Sequence, residues 1–157
     1  MFRPALVLVI SIVIASCDFG LTPVVQDPGF EGTIRIRSAW PPADSVQTFV
    51  VIAFRSYPPG NILEEVLSGR ALYSEPLKKD TSVVHYRIQR ADLMGSFSYV
   101  VVAQQYGPDI QANWKVVGVY TTTGDNTRPS PVDLAGGMYV KGVDMDVDFY
   151  NLPPQPF

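Results

Sequence analysis

The chain of 157 residues contains one cysteine, Cys17, and one histidine, His85. A single cysteine excludes any disulfide within the chain. A Ser-His-Asp or Cys-His catalyst would have to use His85, and no nucleophile-elbow or zinc-protease spacing surrounds it. Positive charge is sparse: 12 Lys and Arg stand against 15 Asp and Glu, for a net charge of −3. The densest basic pair, Lys78-Lys79, is followed at once by Asp80. That pattern leaves no electrostatic footprint for a phosphate backbone, so nucleic acid is excluded as a partner. Gly136-Gly137 lacks the lysine and following helix of a phosphate loop. Low-complexity tracts and internal repeats are missing. The longest apolar run, Ala5 to Ile14, is too short to span a bilayer, which takes about 20 residues.

What the chain does have begins with that run. Met1-Phe2-Arg3-Pro4 supplies a basic start, an apolar core follows, and Ile14-Ala15-Ser16-Cys17 ends it on small residues. This is the layout of a secretory signal. An aliphatic, two small residues and a cysteine resemble the lipobox of bacterial lipoproteins. The resemblance implies removal of residues 1–16, a diacylglyceryl group on the Cys17 sulfur and an acyl group, such as palmitate, on the new amine. The alternatives are an uncleaved membrane anchor and a plain signal peptide that leaves Cys17 an ordinary thiol. Lipid accounts better for a lone cysteine in an exported chain. Each buried methylene contributes about 0.8 kcal/mol, and two or more acyl chains hold stably where one does not. Asp18 resembles an inner-membrane retention signal of enterobacterial lipoproteins and reads equally well as the start of a solvated linker.

Behind the leader, residues 17–157 suffice for one domain with its own core. Fourteen prolines and 12 glycines punctuate a chain carrying eight Phe, eight Tyr and two Trp. Prolines mark loops while β-branched and aromatic residues fill the runs between them, the balance of an all-β fold. Residues 18–31, with Pro23, Asp27, Pro28 and Gly29, read as a tether. Thr33 to Arg37 alternates, with Ile34 and Ile36 inward. Val46 to Arg55 is apolar on both faces at its centre, as a strand covered on both sides would be. Asn61 and Glu64 resemble a capping box before a short helix over Ile62–Ser68, ended by Gly69 and placed over one end of the core. Leu72–Ser74 is a short edge strand stopped by Pro76. Val83–Gln89, Ser96–Tyr106, Asn113–Thr122 and Val143–Tyr150 complete the set.

About seven strands at this spacing predict a single antiparallel β-sandwich. The order resembles the prealbumin-like sandwich of carboxypeptidase regulatory-like and Cna-B-like domains, more broadly an Ig-like architecture. The resemblance rests on Tyr99-Val100-Val101-Val102-Ala103 closing at Tyr106-Gly107, and on Gly137 followed by the alternating strand Val143–Phe149. It covers roughly Gly32 to Leu152, with the helical insert near 61–69 as a departure. It implies a structural or binding module. The expected layout is a signal peptide over 1–16, lipidated Cys17 and tether over 17–31, a sandwich over 32–152 and a Pro-rich tail over 153–157.

Three groups of residues invite a chemical reading. His85 falls on a polar strand face beside Arg87 and Gln89, where a histidine is ordinarily a surface residue. Asp144, Asp146 and Asp148 share one face at spacings of roughly 6.5–7 Å. They form a weak calcium candidate, since an EF-hand loop counted from Asp144 would place Phe149 at its glycine position and Gln155 at its glutamate position. The alternative is a solvated face that discourages edge-to-edge pairing. Trp40, Tyr57 and Tyr106 fall at strand ends and could form an aromatic platform for a glycan, though such residues also fill cores and rims. The expectation is a membrane-anchored envelope lipoprotein without catalytic residues or cofactor, working as a structural or interaction module that meets an envelope protein. The alternative is a binder of a glycan or envelope polymer.

Overall fold

A computed structural model describes residues 26–60 and 62–156. The leader, Cys17 and the capping residue Asn61 lie outside these. The described residues form ten strands, β1 (Gly29–Ile36), β2 (Thr48–Phe54), β3 (Leu72–Tyr73), β4 (Val83–Gln89), β5 (Ser96–Phe97), β6 (Tyr99–Gln105), β7 (Trp114–Val119), β8 (Val132–Asp133), β9 (Tyr139–Val140) and β10 (Met145–Val147), with one α-helix, α1 (Ile62–Leu67). A mostly β chain with one short helix is what the sequence predicts.

The sheet arrangement departs from expectation in two ways. The strands form three separate sheets, in the orders β10-β1-β4 with β9 also on β1, β3-β2-β6-β7, and β5-β8, instead of a single sandwich of about seven strands. The pairing is also not wholly antiparallel: β9 and β10 both run parallel to β1. Alternation along a strand says which face is buried; it is silent about which strand lies alongside and in which direction.

β6 is buried at every position and β2 at every position but Thr48. One face of this sheet carries Phe49, Val51, Val100 and Val102 into a cluster with Phe30, Ile34, Val84, Tyr86 and Ile88 of the β10-β1-β4 sheet. The opposite face carries Val50, Ile52, Phe54, Tyr99 and Val101 into a second cluster, against which Ile62 and Val66 of α1 pack. Covered on both sides, β2 and β6 read as continuous apolar runs. Each fully buried aliphatic or aromatic side chain contributes about 1.5–3 kcal/mol. The helix therefore shields an outer sheet face; it does not plug the end of the core.

Along one side the two four-stranded sheets touch. A Cβ at Gly118 of β7 would lie 2.7 Å from the Asp146 carbonyl oxygen, so only glycine lets β10 approach this closely. Two boundaries also shift. β1 starts at Gly29, which brings residues 29–31 out of the expected tether and into the sheet. In the tail, the Gln155 side chain accepts from the Val116 amide at 2.9 Å and donates to the Val116 carbonyl at 3.0 Å. Among the described residues no helix is long and apolar enough to cross a membrane.

Candidate functional site

A hollow of about 670 Å³ lies over the outer face of β1 and β4 where the neighbouring edge is interrupted. β9 pairs with Gly29 and Phe30, and β10 with Ile34 to Ile36. Residues 141–144 pass between them opposite Glu31–Thr33. Here side chains substitute for the missing ladder. The Val143 amide still donates to the Glu31 carbonyl at 3.1 Å. The Thr33 amide donates to Asp144 Oδ1 at 2.9 Å, and Arg35 Nη2 donates to Asp144 Oδ2 at 2.8 Å. From beneath, the buried Tyr86 hydroxyl donates to the Val143 carbonyl at 2.7 Å.

Gly32 makes this approach possible. It sits opposite Tyr86 in the β1–β4 register, and a Cβ there would collide with the Val143 carbonyl and press on the Tyr86 ring. A glycine inside a strand marks such a close approach. That was the one sequence signal for the site, and it is easily taken for the opening of the domain.

A second polar cluster borders the hollow. Glu31 Oε2 accepts from the Tyr139 hydroxyl at 2.7 Å and meets Arg87 Nη2 at 3.3 Å, while Oε1 lies 3.6 Å from Lys141 Nζ. The Tyr139 hydrogen bond, with Lys141 and Arg87 adding to it against some desolvation, holds the Glu31 carboxyl below its usual range. Burial, with the bond to Glu31, pushes the Tyr139 phenol up to about 12. At Asp144 burial raises the pKa, but the Thr33 amide, Arg35 and His85 together outweigh it and hold the group below its ordinary value. Burial also raises the Tyr86 phenol far above its usual value. Both carboxyls are thus pushed the same way, downward. Fixed charges and neutral hydroxyls arranged in this way suit hydrogen bonding to a polar ligand.

His85 lies exposed at the hollow, opposite Thr33, with Nδ1 3.2 Å from Thr33 Oγ1. The polar face expected for it is where it lies. The three aspartates separate in role. Asp144 takes Thr33 and Arg35; Asp146 pairs with Arg37 at 3.1 Å; Asp148 accepts from the Tyr150 and Asn151 amides at 2.9 and 3.1 Å. Among the described residues no three His, Cys, Asp or Glu side chains gather as a metal site would need. The carboxylates that alternation aligned on one face are drawn off to partners on β1 and in the following turn.

The expected aromatic platform does not assemble. Trp40 packs at 5.2 Å on Phe49 and 4.8 Å on Phe149, with its indole N–H donated to Thr81 O at 2.9 Å. Half-buried, it packs against the first core cluster. Tyr57 lies 4.8 Å from Tyr99, at the start of β6, whereas Tyr106 follows the end of that strand beneath Lys115. Seven residues of extended chain separate the two tyrosines, on the order of 20 Å. A smaller apolar recess of about 220 Å³ lies elsewhere, between α1 and residues 110–114 and floored by Val50 and Ile52.

Comparison with known protein families, curated proteins and solved structures finds no match to this chain.

Proposed function

We infer that this chain is a lipid-anchored protein of the bacterial cell envelope whose β domain works by contact and not by catalysis. The observation that carries the reading is Ile14-Ala15-Ser16-Cys17 behind a basic and apolar leader. Acyl chains on Cys17 would hold the protein at a lipid surface, since two or more chains give stable binding. The ordered strand β1 begins 12 residues after Cys17, at Gly29. That stretch would give the domain a short tether. On this reading the two four-stranded sheets are the layers of one prealbumin-like sandwich, a scaffold that hosts binding and structural modules, and fold alone does not assign a reaction. The test is fractionation of cells producing the full chain or its Cys17→Ala variant. The full chain stays with membranes after high-salt and carbonate washes, and Cys17→Ala is released. Retention of both alike ends the acyl-anchor reading.

The hollow above Gly32 favours a second reading, a binder of a glycan or other envelope polymer. It offers Asp144, Glu31, Arg87, His85 and Thr33 within one concavity, a donor and acceptor set that suits hydroxyl-rich ligands. Titration with envelope polysaccharides, followed by the amide signals of Thr33 and His85, tests it. Shifts confined to the hollow support it, and unchanged signals at saturating polymer remove it.

A further inference from the structure

The ion pairs around the hollow above Gly32 are uneven. Glu31 is one carboxylate meeting two cations, Arg87 at 3.3 Å and Lys141 at 3.6 Å. Asp144 meets one, Arg35, at 2.8 Å. Among the described residues, Glu31 and Asp144 are the acids that line the concavity. Two acids against three cations leave a surplus of one positive charge. Both carboxyls are held below their ordinary range, so they stay ionised at neutral pH and the count stands. Neighbouring charges do not alter it. Behind His85 and Arg87, Glu75 balances Lys78 in the adjoining recess, and Arg90 is paired with Asp92 at 2.7 Å.

The cations also lie outermost. Side-chain exposure is 61 % for Arg87 and 73 % for Lys141, against 27 % for the Glu31 they share. A ligand arriving from solvent therefore meets both cations before the carboxylate that partly neutralises them. Ion pairs this exposed contribute little to stability, so either cation can turn to an incoming anion at small cost. Asp144 supplies the complementary groups. Its Oδ1 accepts from the Thr33 amide and its Oδ2 from Arg35, which leaves each oxygen a further lone pair. Lone pairs on a carboxylate fixed in this way take hydroxyl donors.

We propose that the hollow binds an acidic polysaccharide, with a sugar carboxylate at Arg87 and Lys141 and sugar hydroxyls at Asp144. One anionic group per sugar matches a surplus of one charge. The volume of about 670 Å³ falls within the range of roughly 300–1,000 Å³ usual for such sites, room for a short stretch of the chain. A neutral glycan would use the hydroxyl partners and leave the surplus charge uncompensated. The whole protein carries −3, so it has no general attraction for polyanions, and binding reports this site. This ligand class rests on the second reading above, that the hollow takes a glycan or other envelope polymer.

The probes are polygalacturonate, which has a carboxylate on each sugar, and neutral dextran of equal length. Each is titrated into the full chain in mild detergent while the amide signals of Thr33, His85 and Gly142 are followed. Polygalacturonate is expected to shift these signals and to bind at least about fivefold more tightly than dextran, an advantage that shrinks as salt is raised. Lys141→Gln removes the surplus charge and Lys141→Glu reverses it, both at an exposed position that leaves the fold in place. Polygalacturonate binding is expected to weaken about two- to fivefold at the first and by a similar factor again at the second. Equal or tighter binding of dextran overturns the acidic class and leaves the glycan reading standing. Unchanged signals with both polymers at saturating concentration remove the two together. Equal polygalacturonate binding by wild type and both Lys141 variants, or shifts spread over the surface outside the hollow, also overturns the proposal.

Discussion

Tyr86 and Val143, 57 residues apart in sequence, are joined by a 2.7 Å hydrogen bond that passes over the bare backbone of Gly32. The bond satisfies a carbonyl stranded where β9 gives way to β10, and so holds the parallel edge against β1.

Tyr86→Phe leaves the Val143 carbonyl buried without its donor and should cost about 1–3 kcal/mol. Gly32→Ala forces the two chains apart and should cost at least as much, about 1–3 kcal/mol or more. Urea unfolding measures both. Wild-type stability in Gly32→Ala would show that the edge does not need this close approach.

Acid sensitivity should trace in part to Asp144. Its carboxyl titrates lower when folded than when unfolded, despite the raising effect of burial. Its stabilisation is therefore present above the ordinary carboxylate range near 3.8 and is lost as pH falls through the folded value. Thermal melts from pH 7 to pH 3 should show a smaller acid-induced fall in Tm for Asp144→Asn than for wild type. Parallel falls would assign the acid sensitivity to other groups.

Much of the architecture is legible in the residues, and the illegible part has physical causes. Val84, Tyr86 and Ile88 against His85, Arg87 and Gln89 declare a half-buried strand. The run Phe49–Phe54 declares one covered on both faces. β5, β8 and β9 have two residues each, too few for any period to register. The parallel partnership of β1 and β10 depends on chain path, which alternation does not encode. The polar hollow stayed hidden because Glu31, Thr33, Arg87 and Asp144 meet only through register. Trp40 shows the opposite error. A tryptophan beside Pro41-Pro42 reads as a strand-end residue available to a ligand, and only the placement of Phe49 and Phe149 shows it half-buried against the core.

Gln104 is fully buried in β6, and among the described residues its Oε1 has no hydrogen-bond partner although Nε2 donates to Ser45 O. Gln104→Met removes the unsatisfied oxygen along with one bond to a carbonyl near the surface. Stability should be unchanged or raised by about 1 kcal/mol. A loss of about 2 kcal/mol or more would mean that the carboxamide is better satisfied than its surroundings indicate.

The Gln155 carboxamide makes on Val116 the two bonds that a neighbouring strand's peptide group would make, and so occupies the β7 edge. Gln155→Ala should cost about 1–2 kcal/mol and speed exchange of the Val116 amide. Unaltered exchange at Val116 would show that the tail does not protect this edge.

Attachment of this protein to a membrane depends, on the proposed reading, on the chemistry of Cys17. Mass spectrometry of the first peptide of the native protein, taken from the membrane fraction, tests it most directly. The expected peptide begins at Cys17 and carries a diacylglyceryl thioether with an acylated amine. A peptide that begins at Met1, or one that presents Cys17 as a free thiol, contradicts the account.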